Sequence, residues 1–269
     1  MKQKTIKSLS LLKPQRNSTQ RSISIQLFLT VTLLIISLVF ISFNVIRMNS
    51  ITFTSADGLE LTADEYIIAS DNPYILLFHE QGSSRGEFQT IARRLCKMDY
   101  NCLAVDLRNG GNNNFVSNET AKRCRENKCA LGVKEIEMDM EAAVGFVLNQ
   151  SNQPVILFGS GANGSLSLKL AKENDNVRAV VALSPGEYFL PNINIQDTIS
   201  NLRKPVFITS SLPEFPYVSQ LVSNIDEQYV SLFEPKLGEG GRGAVSLTTE
   251  NEHNSEYWLA LLLFFKDLI

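Results

Sequence analysis

Three short apolar runs constrain this chain more than anything else in it: YILLFHE (74–80), NCLAVDLR (101–108) and PVILFGS (154–160). A strand covered on both faces reads as a continuous apolar run, whereas a half-exposed strand alternates. Behind the first run, EFQTIARRLCKM (87–98) sets Phe88, Ile91, Leu95 and Met98 at helical spacing. Behind the second lies a polar, Gly/Asn-rich excursion from Asn109 to about Leu131, then a helix with Ile136, Met140, Ala143 and Val147 on one face. The third run leads into a helix from about Asn163 to Glu173. VRAVVALS, PVFITSS and YVSLFEP supply three more strands, separated by helical segments near 195–203 and 215–224. The last helix, SEYWLALLLFFKDLI, has nine consecutive apolar residues, too few to span a bilayer, and is expected in the core. Ahead of the series, ITFTS and LELTADEYI flank Ala56-Asp57-Gly58, a D-G hairpin turn. The expectation is an α/β fold over residues 47–269, a mostly parallel sheet with an N-terminal hairpin and helices on both faces. Ligands in such sheets bind beyond the carboxyl ends of the strands.

Charge is segregated. Residues 1–25 hold Lys2, Lys4, Lys7, Lys13, Arg16 and Arg21 and no acid, while the other 244 residues carry 19 basic and 28 acidic groups. An acidic body excludes nucleic acid as its expected partner. Positions 27–46, LFLTVTLLIISLVFISFNVI, contain no charge, and twenty helical residues span roughly 30 Å. A buried helix would show a polar face, and a cleaved signal peptide would show a small-x-small site; this run has neither. The sequence therefore predicts a basic cytoplasmic tail (1–25), a single transmembrane anchor (26–46) and a domain on the periplasmic or extracellular side.

Four cysteines permit three pairings. Cys124 and Cys129 close a short polar loop suited to a local disulfide in an oxidising compartment, with free, partly buried thiols as the alternative. No histidine lies near them, so neither zinc nor another metal is expected.

Residues 159–164, GSGANG, spell G-x-G-x-x-G, the fingerprint of a dinucleotide-binding loop. That reading requires the first strand of its unit and an acid about 20 residues on. Here the loop follows roughly the fifth strand, and the strand 20 residues on ends in Leu183-Ser184-Pro185. The context disfavours a dinucleotide enzyme, and no cofactor is expected.

The same context resembles the α/β-hydrolase fold over about residues 51–269. The stretches LLFHEQGSSRGEF, NCLAVDLRNGG, PVILFGSGANGSLSLKLA, VALSPGEYF and PVFITSS are similar to dienelactone-hydrolase-like members. The resemblance implies a nucleophile elbow of pattern small-x-Ser-x-small on the turn between strand and helix. Counting from VILFG puts Gly159 and Asn163 at the small positions and Gly161 at the nucleophile, which therefore has no side chain. The remaining parts are also implied: Glu214 (or Glu187, one strand earlier) as the acid, His253 as the base, and the amides of Ala162 and Gln81 as an oxyanion hole. His79 is expected to be structural, and Glu80, at a position where the family has glycine, to turn towards solvent or Arg85. Ser160 is the alternative nucleophile, and Ser165 is expected to face helix or strand backbone.

Gly238–Gly243 lacks the Lys-Ser/Thr of a P-loop and reads as a flexible loop. Of the sequons beginning at Asn17, Asn118 and Asn163, only Asn118 is expected to be open to glycosylation. The expected function is a membrane-anchored, degenerate hydrolase that binds a small acyl or ester ligand or a protein. The alternatives are an active serine esterase using Ser160 and, less favoured, a dinucleotide enzyme.

Overall fold

The computed structural model of the protein describes residues 27–32 and 46–268, and the chain divides into the units 1–44 and 45–269. In the second unit, β1 (Arg47–Thr54) and β2 (Glu60–Ile67) pair antiparallel around the Asp57-Gly58 turn, as the alternation predicts. They join β3 (Tyr74–Phe78), β4 (Asn101–Val105), β7 (Val155–Ser160), β8 (Val177–Leu183), β9 (Val206–Thr209) and β10 (Val230–Phe233) in one sheet of order β1-β2-β4-β3-β7-β8-β9-β10. From β4 to β10 every pairing is parallel. Chain order reverses at β3, which lies between β4 and β7, so the switch point sits beside the loop after β3 and the loop after β7.

The strand side chains alternate between two cores, which is why the central runs are apolar throughout. Leu76, Phe78 and Leu157 face one core, closed by α3 (Val133–Leu148), α4 (Gly161–Glu173), α5 (Ile195–Thr198) and α6 (Phe215–Leu221). Ile75, Leu77, Ile156 and Phe158 face the other, closed by α1 (Gln89–Cys96) and α7 (Asn254–Asp267). Tyr257, Trp258, Leu261, Phe264 and Phe265 of α7 are buried, as expected of a core helix, while Leu259, Leu262 and Leu263 are exposed on its other side.

Within the polar excursion the structure adds a two-residue hairpin, β5 (Asn112–Asn113) with β6 (Val116–Ser117), and a helix, α2 (Glu119–Asn127). Cys124 and Cys129 form a disulfide with a Cα separation of 5.0 Å, and Cys96 and Cys102 are free and buried. Asn118 is not open to glycosylation: it is 1% exposed, and its side-chain oxygen accepts the Ala121 amide at 2.7 Å to cap α2. Asn17 lies outside the described residues.

The transmembrane helix and the single-pass localisation need correction. No helix among the described residues is long and apolar enough to cross a membrane. Of the apolar run only 27–32, which are helical, and 46 are described; the rest of that run and the basic tail lie outside the described residues.

Candidate active site

The loop after β7 explains the glycine spacing sterically. A Cβ on Gly159 would lie 2.6 Å from the Cα of Gly164, and one on Gly164 would lie 2.9 Å from the Gly159 carbonyl oxygen, because α4 starts directly over the end of its own strand. Gly161 stands at the tip with φ +56°, a left-handed conformation that side chains adopt at a cost. Close packing and one positive φ thus account for G-x-G-x-x-G without a phosphate.

Glu80 fills the space above that tip. A Cβ on Gly161 would lie 2.6 Å from Glu80 Oε1, so the carboxylate occupies the volume of the missing side chain. It lies there at the N-terminal end of α4, where the helix dipole favours negative charge. The expectation that Glu80 turns to solvent or Arg85 is corrected. Arg85 is held by Asp64 at 3.0 Å and Asp106 at 2.6 Å, whereas Glu80 Oε1 accepts from Arg242 Nη2 at 2.6 Å. Arg242 also binds Glu214 through Nη1 and donates to the Tyr188 hydroxyl at 3.1 Å. Burial alone would loosen the proton on Arg242, but the hydrogen bonds to Glu80 and Tyr188 outweigh it and raise the guanidinium pKa.

Glu214 lies beyond β9 as expected, accepting from Ser184 Oγ and Ser211 Oγ at 2.8 Å each. Its partner is not His253. The His253 ring makes no hydrogen bond or ion pair among the described residues, and its Cδ2 lies 3.2 Å from where a Cβ of Gly238 would be. Arg242, in the loop four residues beyond Gly238, stands where a base would have to stand, between Glu214 and the elbow. Glu187 is elsewhere, accepting the Ile195 and Gln196 amides at 2.7 Å each.

The other expected groups divide. Ala162 is the second residue of α4, and Ser160 does not cap that helix with its side chain, so first-turn amides remain available as donors. Gln81 is exposed on the loop after β3. Ser160 is fully buried, with its Oγ accepting the Ala244 amide at 3.1 Å. Ser165 exchanges hydrogen bonds with backbone of Gly186, donating to its carbonyl at 2.8 Å and accepting from its amide at 2.9 Å, as a backbone-facing residue should. His79 is fully buried, donating from Nδ1 to the Glu80 carbonyl at 2.8 Å and accepting the Leu107 amide at Nε2 at 2.9 Å. Burial pushes its pKa below the ordinary histidine value, which keeps it a neutral brace beneath the Glu80 loop.

A carboxylate, a guanidinium and an elbow on the loops of a parallel sheet can be compared with known proteins. The family model for the dienelactone hydrolase family matches residues 64–230, more than half of the chain. The chain belongs to this family. No curated protein matches it by sequence. Among solved structures, an esterase from Pyrococcus furiosus is 17% identical with a TM-score of 0.62, over 82% of this chain and 93% of that one. The dienelactone hydrolase from Anabaena variabilis is 15% identical with a TM-score of 0.59, over 81% and 95%. The acylaminoacyl peptidase of Pyrococcus horikoshii is 15% identical with a TM-score of 0.57, over 86% of this chain and 43% of that one. At such identities the likeness establishes the α/β-hydrolase fold.

Arg242 is the residue that sequence reading passed over. Its signal was a lone cation between glycines in GEGGRGA, in the loop that precedes the last helix. A composition-based view assigns that loop to flexibility, and only the approach of two carboxylates reveals its role.

Proposed function

We propose that this dienelactone-hydrolase-family domain binds a small acyl or ester ligand at its elbow and does not turn it over by the serine-hydrolase route. The observation that carries this is the Glu80 carboxylate lying in the volume of the absent nucleophile side chain and held by Arg242, which also grips Glu214. An acyl-enzyme needs a nucleophile within reach of a base, and here the tip is glycine and the neighbouring cation cannot accept a proton. A fixed carboxylate over the elbow also opposes the negative charge that develops on an acyl oxygen. Ser160 does not rescue the reaction, because its hydroxyl is sealed beneath Gly243 and Ala244.

The test is labelling with a fluorophosphonate probe beside hydrolysis of p-nitrophenyl acetate. The native chain is expected to show neither. Gly161→Ser alone should also stay unlabelled, since the new side chain meets Glu80; combining it with Glu80→Gly and Arg242→His supplies space and a base together. Strong labelling of the native chain that Ser160→Ala abolishes would overturn this reading in favour of an active esterase.

A further inference from the structure

Beside the Glu80–Arg242 pair lies a cavity of about 260 Å³, walled by the Gln81–Ser83 loop, Asn112 and Asn113 of β5, Ala244 and Val245, with Glu87 also on its lining. Glu87 is 9% exposed. Its Oε2 accepts the Glu80 amide at 3.0 Å, but Oε1 is buried and has no hydrogen-bond partner among the described residues. A buried carboxylate oxygen without a donor is costly, so such a group calls for a ligand or solvent donor. Asn113 gives its amide hydrogen to Ser83 Oγ at 2.8 Å, which leaves its carbonyl oxygen as a second acceptor on the same wall.

The charges point the same way. Glu80 and Glu214 already share one guanidinium, Arg242, and Glu87 lines the same cavity without a salt bridge among the described residues. The neighbouring Arg85 is committed to Asp64 and Asp106, and His79 is buried with both ring nitrogens hydrogen-bonded. The site therefore carries uncompensated negative charge beside unused acceptors. Among the described residues no group of three or more metal-ligating side chains occurs, and a hard divalent cation takes six or more oxygens.

We infer that this cavity takes a small primary ammonium, with the ammonium on Glu87 Oε1 and Asn113 and a short hydrocarbon body against Ala244 and Val245. The inference rests on the reading of the elbow as a binding site and adds that the acyl or ester ligand held there carries an ammonium group, which enters this cavity.

The probe is n-butylammonium chloride, compared with n-butanol, sodium butyrate and magnesium chloride, read by amide NMR shifts of the full chain. Butylammonium alone should shift residues 81–83 and 244–245 saturably. Glu87→Gln should weaken it about tenfold or more, the loss of one charge-assisted hydrogen bond. Glutamine keeps a carbonyl for the Glu80 amide, so the variant should retain native melting. Should it unfold, Val245→Trp decides instead by filling the cavity: binding lost supports the inference, binding kept overturns it. The inference also fails if butylammonium does not bind, if Glu87→Gln leaves its affinity unchanged, or if butanol or magnesium acts equally. Fluorophosphonate labelling of the same native sample separates the two readings, since labelling overturns the non-catalytic elbow whereas missing ammonium binding, without labelling, overturns only the ligand assignment.

Discussion

At the scale of single residues, Gly161 shows how one position carries two independent constraints. Its φ of +56° disfavours any side chain by about 1–2 kcal/mol, and a Cβ there also collides with Glu80. Gly161→Ala is therefore expected to destabilise by more than the backbone term alone. Glu80→Gly in the same chain should recover the excess, a non-additivity that a double-mutant cycle in urea measures. His79 supplies a pH prediction. Its folded pKa is depressed, so the unfolded chain binds a proton that the folded chain refuses once pH drops below about 6.5. The stability from its neutral form is complete above that value and is lost as pH falls towards the folded pKa. Denaturation midpoints across pH 7.5 to 5 should fall, and His79→Gln should flatten that slope while lowering stability at pH 7.5.

Among the α-helices, α2 was the one the sequence concealed. Asn118 and Glu119 are good helix-start signals, but only Thr120, Ala121 and Cys124 are buried, so NETAKRCREN lacks the apolar stripe by which helices are found. What holds α2 is external: the Thr62 amide donates to Thr120 Oγ1 at 2.9 Å, Asp106 accepts the Glu119 amide at 2.9 Å, and the Cys124–Cys129 bond closes its far end. Replacing both cysteines with serine should lower stability by about 2 kcal/mol, the loop-closure value for so short a ring. Urea denaturation of native and double-serine chains checks it; an unchanged midpoint would mean the loop is fastened by its other contacts.

Over the whole molecule, Arg108 is the residue that ties separate segments together. Fully enclosed at its side chain, it binds Asp57 in the hairpin turn at 2.6 Å, Asp139 in α3 at 2.6 Å and the Ala130 carbonyl at 3.2 Å. Arg108→Met should cost about 3–5 kcal/mol because it leaves Asp139 buried without a countercharge. Adding Asp139→Leu should return part of that loss, which thermal denaturation of the single and double variants would reveal.

The order of strands and helices, the hairpin and the burial of α7 were legible in the sequence, because period and run length follow directly from which faces are covered. The elbow's place after the fifth strand of the large sheet was legible for the same reason, and so was the local Cys124–Cys129 pairing as one of its stated options. The apolar run at 27–46 led instead to an anchor that no described helix supports, since hydropathy alone does not say what covers a segment. The occupants of the elbow depended on tertiary structure. Glu80 and Arg242 are 162 residues apart in the chain, and His253 lies only eleven residues beyond Arg242 yet faces Gly238 rather than Glu214. Chain order can nominate a residue for a site, but distance and charge choose it, and those exist only once the loops after β3, β7, β9 and β10 have been brought together by the sheet.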